Sequence, residues 1–175
     1  MRYENFISEE VLDRLKILVG TKIEALYSDR FSIRKEIVES QLFILRLTNK
    51  SVLTFKNAAK ETAQDNDYYK FLIESVVVTD DNYDGKTLGQ KYSKIGLNSE
   101  RLVRIEIYNR HEVFGDEEFD YDVVILFICK NHFRFIIALE ERFDEQVIYS
   151  SSKRVIDAYL TGLNLRNAFP TTNRI

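Results

Sequence analysis

The residues best suited to chemistry in this chain carry oxygen. The segment Asp80-Asp81-Asn82-Tyr83-Asp84-Gly85 has the opening of a calcium loop. Asp80, Asn82 and Asp84 offer hard oxygen ligands at alternate positions, and Gly85 supplies the sharp turn. The bidentate Glu that closes such a loop would fall at position 91, which is Lys91. A cation there repels the ion. The same six residues also have the composition of a plain Asp/Asn/Gly turn.

A second cluster is more strongly charged. Glu112, Asp116, Glu117, Glu118, Asp120 and Asp122 form an acidic run with no Lys or Arg from 112 to 122, and Phe114, Phe119 and Tyr121 are interleaved. Three readings follow. The run can be a docking surface, where negative potential steers a basic protein partner and the aromatics anchor it. It can be a carboxylate site for a magnesium-like ion. It can be a solvated acidic loop between strands, the commonest fate of a charge run.

Nucleophilic chemistry finds no support. Cys129 ends an apolar alternating segment, and His132 lies an odd number of residues away. In a strand that spacing puts the two side chains on opposite faces, so the thiol reads as a small hydrophobe. His111 borders the acidic run and reads as a surface residue whose imidazolium the acids favour. No phosphate loop, dinucleotide fingerprint, nucleophile elbow or zinc helix occurs. No catalytic residue is assigned and no cofactor is expected. Acid–base chemistry would have to rest on carboxylates, and no spacing selects a pair.

The elements that position these residues are mostly strands. Ser8 can cap a helix with Glu9 and Glu10 in its first turn, Val11, Leu12, Leu15 and Leu18 at helical spacing, and Gly20 at its end. From Lys22 the period becomes two, through Ile23, Ala25 and Tyr27. Ser28 to Val38 reads as a charged connection. Leu42 to Asn57 reads as a hairpin turning at Thr48 to Ser51. Ala58 to Asp67 is polar, with room for a helical turn. Phe71 to Val78 is a strand, and Thr79 to Gly96 the longest expected loop. Leu102 to Tyr108 alternates. Val113 to Asp122 reads as the acidic loop. Tyr121 to Cys129 and His132 to Leu139 form a second hairpin, and Gln146 to Tyr149 adds a strand. Ser151 or Ser152 caps a last helix through Val155, Ile156, Tyr159 and Leu160, closed by Gly162. Asn167 to Ile175 reads as a frayed tail.

The expected class is therefore α+β, mainly β: antiparallel sheet of six to eight strands with a helix at each end. Residues 1–166 would form one domain. At an offset of 80, Ile23, Ala25 and Tyr27 fall on Val103, Ile105 and Ile107. Leu45, Leu47, Leu53 and Phe55 fall on Ile125, Phe127, Phe133 and Phe135. This is the pattern of an internal duplication, and equally of two unrelated alternating strand sets.

Composition agrees. The chain has 175 residues, of which 45% are hydrophobic and 30% charged, with a net charge of −3, one Cys and no Trp. That apolar share excludes a disordered chain. One Cys excludes an internal disulfide framework. No apolar run reaches the roughly 18 residues of a membrane span, and no secretory signal precedes the first helix. A cytoplasmic protein is expected. The mild acidity argues against nucleic acid as a partner. Lys153, Arg154, Arg166 and Arg174 form only a weak basic cluster.

The runs Leu18-Val19-Gly20-Thr21-Lys22-Ile23 and Leu45-Arg46-Leu47-Thr48-Asn49-Lys50-Ser51-Val52-Leu53-Thr54-Phe55 resemble small β-rich bacterial proteins of unassigned function. Some of these sit beside polymorphic toxins as immunity proteins. Phe71-Leu72-Ile73-Glu74-Ser75-Val76 resembles the start of a second unit in that pattern. The resemblance covers about a third of the chain. It implies a partner-binding role and carries over no site residue. The function expected is a non-enzymatic protein-binding module, an immunity or inhibitor protein in the form the resemblance implies. The alternative is a carboxylate-based metal-binding protein or enzyme. The candidate contact residues are Glu112, Phe114, Asp116, Glu117, Glu118, Phe119, Asp120, Tyr121 and Asp122. The candidate ligands are Asp80, Asn82 and Asp84. Oligomeric state is left open.

Overall fold

The computed structural model describes residues 1–29, 31–61, 67–77, 85–97, 101–140 and 146–170. Among these, strands run over Arg2–Asn5 (β1), Ile23–Ser28 (β2), Phe31–Arg34 (β3), Ile37–Ser40 (β4), Phe43–Leu47 (β5), Ser51–Glu61 (β6) and Asp67–Val77 (β7). They continue with Ser93–Ile95 (β8), Leu102–Phe114 (β9), Glu117–Cys129 (β10), Arg134–Leu139 (β11), Val147–Ser150 (β12) and Asn164–Pro170 (β13). Helices occupy Glu9–Leu18 (α1), Gly85–Lys91 (α2) and Lys153–Leu160 (α3). The expected α+β, mainly antiparallel class is what the chain adopts.

Helix α1 forms where its caps require. The Val11 N–H donates to the Ser8 hydroxyl at 3.4 Å, Glu9 and Glu10 sit in the first turn, and Leu12, Leu15 and Leu18 are buried on one face. Gly20 then adopts φ +96°, a value that costs a glycine little, and leads the chain into β2.

The strands form two sheets. The larger has the order β13-β9-β10-β11-β12-β4-β3, with β1 added in parallel beside the first half of β10. The smaller has the order β7-β6-β5-β2-β8. One hydrophobic core joins them. Phe127 stacks on Phe135 of the same sheet at 4.7 Å and meets Phe55 of the other edge-on at 6.1 Å. Leu45, Leu47, Leu53, Ile105, Ile107, Ile125 and the α1 leucines complete this core. A smaller cluster on the far side of the five-stranded sheet gathers Ala25, Tyr27, Ile44 and Val52 under Leu88 of α2.

The offset of 80 has a structural counterpart. Helix α1 precedes a meander β2-β5-β6-β7, and α2 precedes a meander β9-β10-β11-β12, each with its strands adjacent in that order. Leu45 and Ile125, Leu47 and Phe127, Phe55 and Phe135 all enter the shared core. The match fails in β2. A register shift between Ile23 and Ala25 sends Ala25 and Tyr27 to the smaller cluster, while Ile105 and Ile107 face the main core. An inserted residue reverses strand parity, so a fixed offset cannot survive it.

Several expectations are corrected. Thirteen strands are present among the described residues, against the expected six to eight. Helices α1 and α3 lie near the two ends, but β1 precedes α1, β13 follows α3, and a third helix, α2, lies mid-chain. The charged connection Ser28 to Val38 contains the hairpin β3–β4, turning through Lys35 at φ +57°. The polar stretch from Ala58 extends β6 to Glu61, paired with β7 from Asp67, and shows no helical turn in its described part. The described part of Thr79 to Gly96 holds α2 and β8. The expected frayed tail is strand as far as Pro170: Ala168 pairs with Glu106 and Phe169 with Ile105 of β9. The domain boundary expected at 166 therefore falls inside β13; residues 171–175 lie outside the described part.

Candidate functional site

The acidic run is not a loop. It is the tip and the descending strand of the β9–β10 hairpin. Phe114 pairs with Glu117 across a two-residue turn, Gly115-Asp116, with Gly115 at φ +62°. Glycine in the first turn position with positive φ suits the right-handed twist of the flanking strands.

Strand alternation then sorts the run into two faces. Glu118, Asp120 and Asp122 share one face with His111 and Val113 of β9 and with Arg2 and Glu4 of β1. Glu117, Phe119 and Tyr121 share the other with Glu112, Phe114 and Tyr3. Most of these carboxylates are engaged from within the fold. Arg2 lies 3.1 Å from one Asp120 oxygen, and His111 Nδ1 lies 3.1 Å from the other. Arg166 of β13 forms two hydrogen bonds to Asp122, at 2.7 and 2.6 Å, and the Ile7 N–H donates to the same carboxylate at 2.7 Å. Burial pushes the Asp122 pKa above its ordinary value, against the pull of Arg166 and the Ile7 N–H. On the opposite face, the Tyr3 hydroxyl donates to Glu117 at 3.0 Å and the Tyr121 hydroxyl to Glu112 at 2.8 Å. Tyr3 stacks on Phe119 at 5.2 Å, and Phe114 meets Phe119 edge-on at 5.8 Å.

The nine candidate contact residues therefore divide. Glu117, Phe119, Asp120, Tyr121 and Asp122 are buried, and Glu112 is half-buried. Phe114, Asp116 and Glu118 remain exposed at the tip. Beside them sequence reading missed Val113 and Met1. Val113 is 56% exposed, Phe114 48% and Met1 74%. The Glu118 N–H donates to the Met1 carbonyl at 2.7 Å, which sets Met1 against the start of β10. Asp116 and Glu118 have no ion-pair partner among the described residues. The tip thus exposes Met1 and Phe114 on the Phe119 face and Val113 on the Asp120 face, with the Asp116 and Glu118 carboxylates at its edge.

Neither a family model, nor a curated protein, nor a solved structure matches this chain. The geometry alone carries the functional reading.

The other sequence-derived sites fare differently. Asp80, Asn82 and Asp84 lie outside the described residues. Among the described residues, no three of His, Cys, Asp and Glu converge as metal ligands. The acidic run shows why: its carboxylates alternate between faces, and Asp120 and Asp122 are held by Arg2 and Arg166. Cys129 is buried, and His132 occupies the β10–β11 turn at φ +63°. No helix among the described residues is long and apolar enough to cross a membrane.

The cations that neutralise the run were invisible to local reading. Arg2 reaches Asp120 because β1 pairs with β10, and Arg166 reaches Asp122 because β13 pairs with β9. The available signal was the run itself. Acids at 118, 120 and 122 alternate with Phe119 and Tyr121, which is strand periodicity.

Proposed function

We propose that this chain is a non-enzymatic protein-binding module whose contact surface is the tip of the β9–β10 hairpin with the adjoining start of β1. The observation that carries this reading is the exposure of Met1 and Phe114 on one face of the hairpin tip and of Val113 on the other, edged by Asp116 and Glu118, which have no ion-pair partner among the described residues. An apolar, aromatic-bearing centre with a charged rim is the anatomy of a protein contact patch. The rim selects a partner with basic groups around an apolar pocket. The resemblance of the Leu18–Ile23 and Leu45–Phe55 runs to toxin-associated bacterial proteins supports one form of this activity. In that form the chain is an immunity or inhibitor protein that neutralises the partner it binds. A bacterial, cytoplasmic setting belongs to the same reading, and the single buried thiol is compatible with a reducing compartment.

The test pairs two baits in lysate of the native host at low salt: the wild-type chain and a V113S/F114S variant. The expected result is a protein retained by the first and lost by the second. Once that partner is purified, D116N/E118Q should slow association and flatten its salt dependence. A partner that both baits retain equally, or an unchanged on-rate for D116N/E118Q, would remove the hairpin tip from the interface.

A further inference from the structure

A second surface has the chemistry of a small-molecule site. It is a cleft of about 480 Å³ between the β3–β4 hairpin, the C-terminal half of α3 and the end of β11. That lies within the range of small-ligand clefts, roughly 300–1,000 Å³.

Its walls are fixed. Arg154 of α3 holds the Glu36 carboxylate in the β3–β4 turn through two hydrogen bonds, at 2.7 and 3.2 Å. The Ser150 hydroxyl donates to the Glu36 carbonyl at 2.7 Å. Helix and hairpin are thereby tied together beside the opening.

The hairpin then supplies one cation and one anion to the same space. Arg34 pairs across the hairpin with Ile37, and Ser32 with Glu39. Ile37 and Glu39 are two apart, so strand alternation puts Arg34, Ile37 and Glu39 on one face. All three line the cleft. Arg34 and Glu39 are of opposite charge, yet neither forms an ion pair among the described residues. Among the described residues, Glu39 accepts the Ser32 hydroxyl, at 2.9 Å. Two other charged residues line the cleft: Arg110, engaged by Glu112 at 3.6 Å, and Glu140, which is buried. Beside Arg34 and Glu39, Ile37 and Tyr159 give the cleft an apolar wall.

We infer that this cleft binds a small zwitterion with an apolar side chain, the chemistry of an apolar amino acid or dipeptide. Its carboxylate lies on the Arg34 guanidinium, whose planar fork suits a carboxylate. Its ammonium lies on Glu39, and its side chain lies against Ile37 and Tyr159. A ligand with both charges satisfies both residues at once; a singly charged one leaves its opposite without a partner. This site is separate from the hairpin tip, and neither reading depends on the other.

The test is ligand-observed NMR and calorimetry on the full chain, with leucine and leucyl-leucine as zwitterions. Leucine amide lacks the carboxylate, and N-acetyl-leucine lacks the ammonium. The zwitterions should bind at least about tenfold more tightly than either analogue, the scale of one lost charge-assisted hydrogen bond. R34Q should weaken leucine by a similar factor and leave leucine amide unchanged. E39Q should weaken leucine and leave N-acetyl-leucine unchanged. Arg34 is exposed and Glu39 is half-buried, and a Gln at 39 can still accept from Ser32, so both variants should melt close to the wild type. The inference is overturned if no zwitterion binds at about 10 mM, ten times a weak Kd of about 1 mM. It is equally overturned if R34Q and E39Q both bind leucine as the wild type does.

Discussion

Arg166 grips Asp122 with a two-pronged hydrogen bond across 44 residues of chain, Nε to Oδ1 at 2.7 Å and a terminal nitrogen to Oδ2 at 2.6 Å. The guanidinium also lies 4.9 Å from the centroid of the Phe6 ring, and the Ile7 N–H donates to Asp122. One buried ion pair thus joins the N-terminal segment, β10 and β13.

Removing the cation should be costly, because the carboxylate it leaves behind is fully buried. R166M is expected to lose about 3–5 kcal/mol in urea unfolding. The sign of its pH dependence follows from Asp122. Burial already raises that carboxyl's pKa in the fold, and loss of Arg166 removes a group that lowers it. A carboxyl whose folded pKa is raised favours the fold below its unfolded pKa and loses that contribution as pH rises through the folded value. The deficit of R166M should therefore shrink as the solution is acidified. A deficit under about 1 kcal/mol at neutral pH would show that β13 is held by its backbone ladder alone.

Tyr108 should report on the outer face of β9. Its hydroxyl donates to Glu106 at 2.6 Å, and burial, then that carboxylate, pushes its pKa up from 10.0 to about 12. The folded value exceeds the unfolded one. The phenol therefore supports the fold fully below pH 10 and progressively less as pH rises through about 12. Alkaline titration by absorbance, taken as wild type minus Y108F, should show a phenol ionising near pH 12. The stability of Y108F should also fall less steeply above pH 10. A difference spectrum with its midpoint near 10 would contradict the assignment.

What could be read locally was read well where one face is apolar and its partner strand is close in sequence. Helix α1 announces itself through Ser8 and the 12-15-18 leucine stripe, and the β5–β6 and β10–β11 hairpins through alternation around polar turns. What escaped depends on distant partners. Strands β3 and β4 offer little apolar periodicity in Phe31–Arg34 and Ile37–Ser40, and β4 is fixed by pairing with β12. Asn167 to Pro170 becomes strand because β9 offers it an edge. The run from Glu112 to Asp122 looked solvated because its counter-charges, Arg2 and Arg166, lie far away in the chain. Only part of the candidate surface was visible for the same reason. Phe114, Asp116 and Glu118 belonged to the acidic run, whereas Met1 joins them only through the β1–β10 ladder.

The β9–β10 turn should tolerate volume but not a changed backbone. A Cβ built on Gly115 meets nothing within 4 Å, so packing does not select glycine there. Its φ of +62° does. G115V should cost about 1–2 kcal/mol, the strain of a left-handed conformation for a side-chain-bearing residue. G115N should cost less, since Asn tolerates that region. Equal losses for the two would point to a contact at position 115 and away from the dihedral.

The last prediction concerns the joint between the sheets. Phe127 is fully buried, and its ring stacks on Phe135 within its own sheet and meets Phe55 of the other edge-on. F127A removes both contacts and leaves a cavity, so the loss should be about 3–5 kcal/mol. F55A should fall in the same range. The rings touch, so the double variant should lose less than the sum of the two, by about 0.5–1.5 kcal/mol. This coupling reports on the contact between the sheets. If the two meanders fold only together, each single variant should still unfold in one transition, with tyrosine fluorescence and far-UV circular dichroism coincident. Strictly additive losses with separated transitions would mean that each meander holds its own core. The arrangement of residues argues for cooperation: Leu45, Leu47 and Phe55 from one meander and Ile125, Phe127 and Phe135 from the other bury their side chains in one continuous cluster.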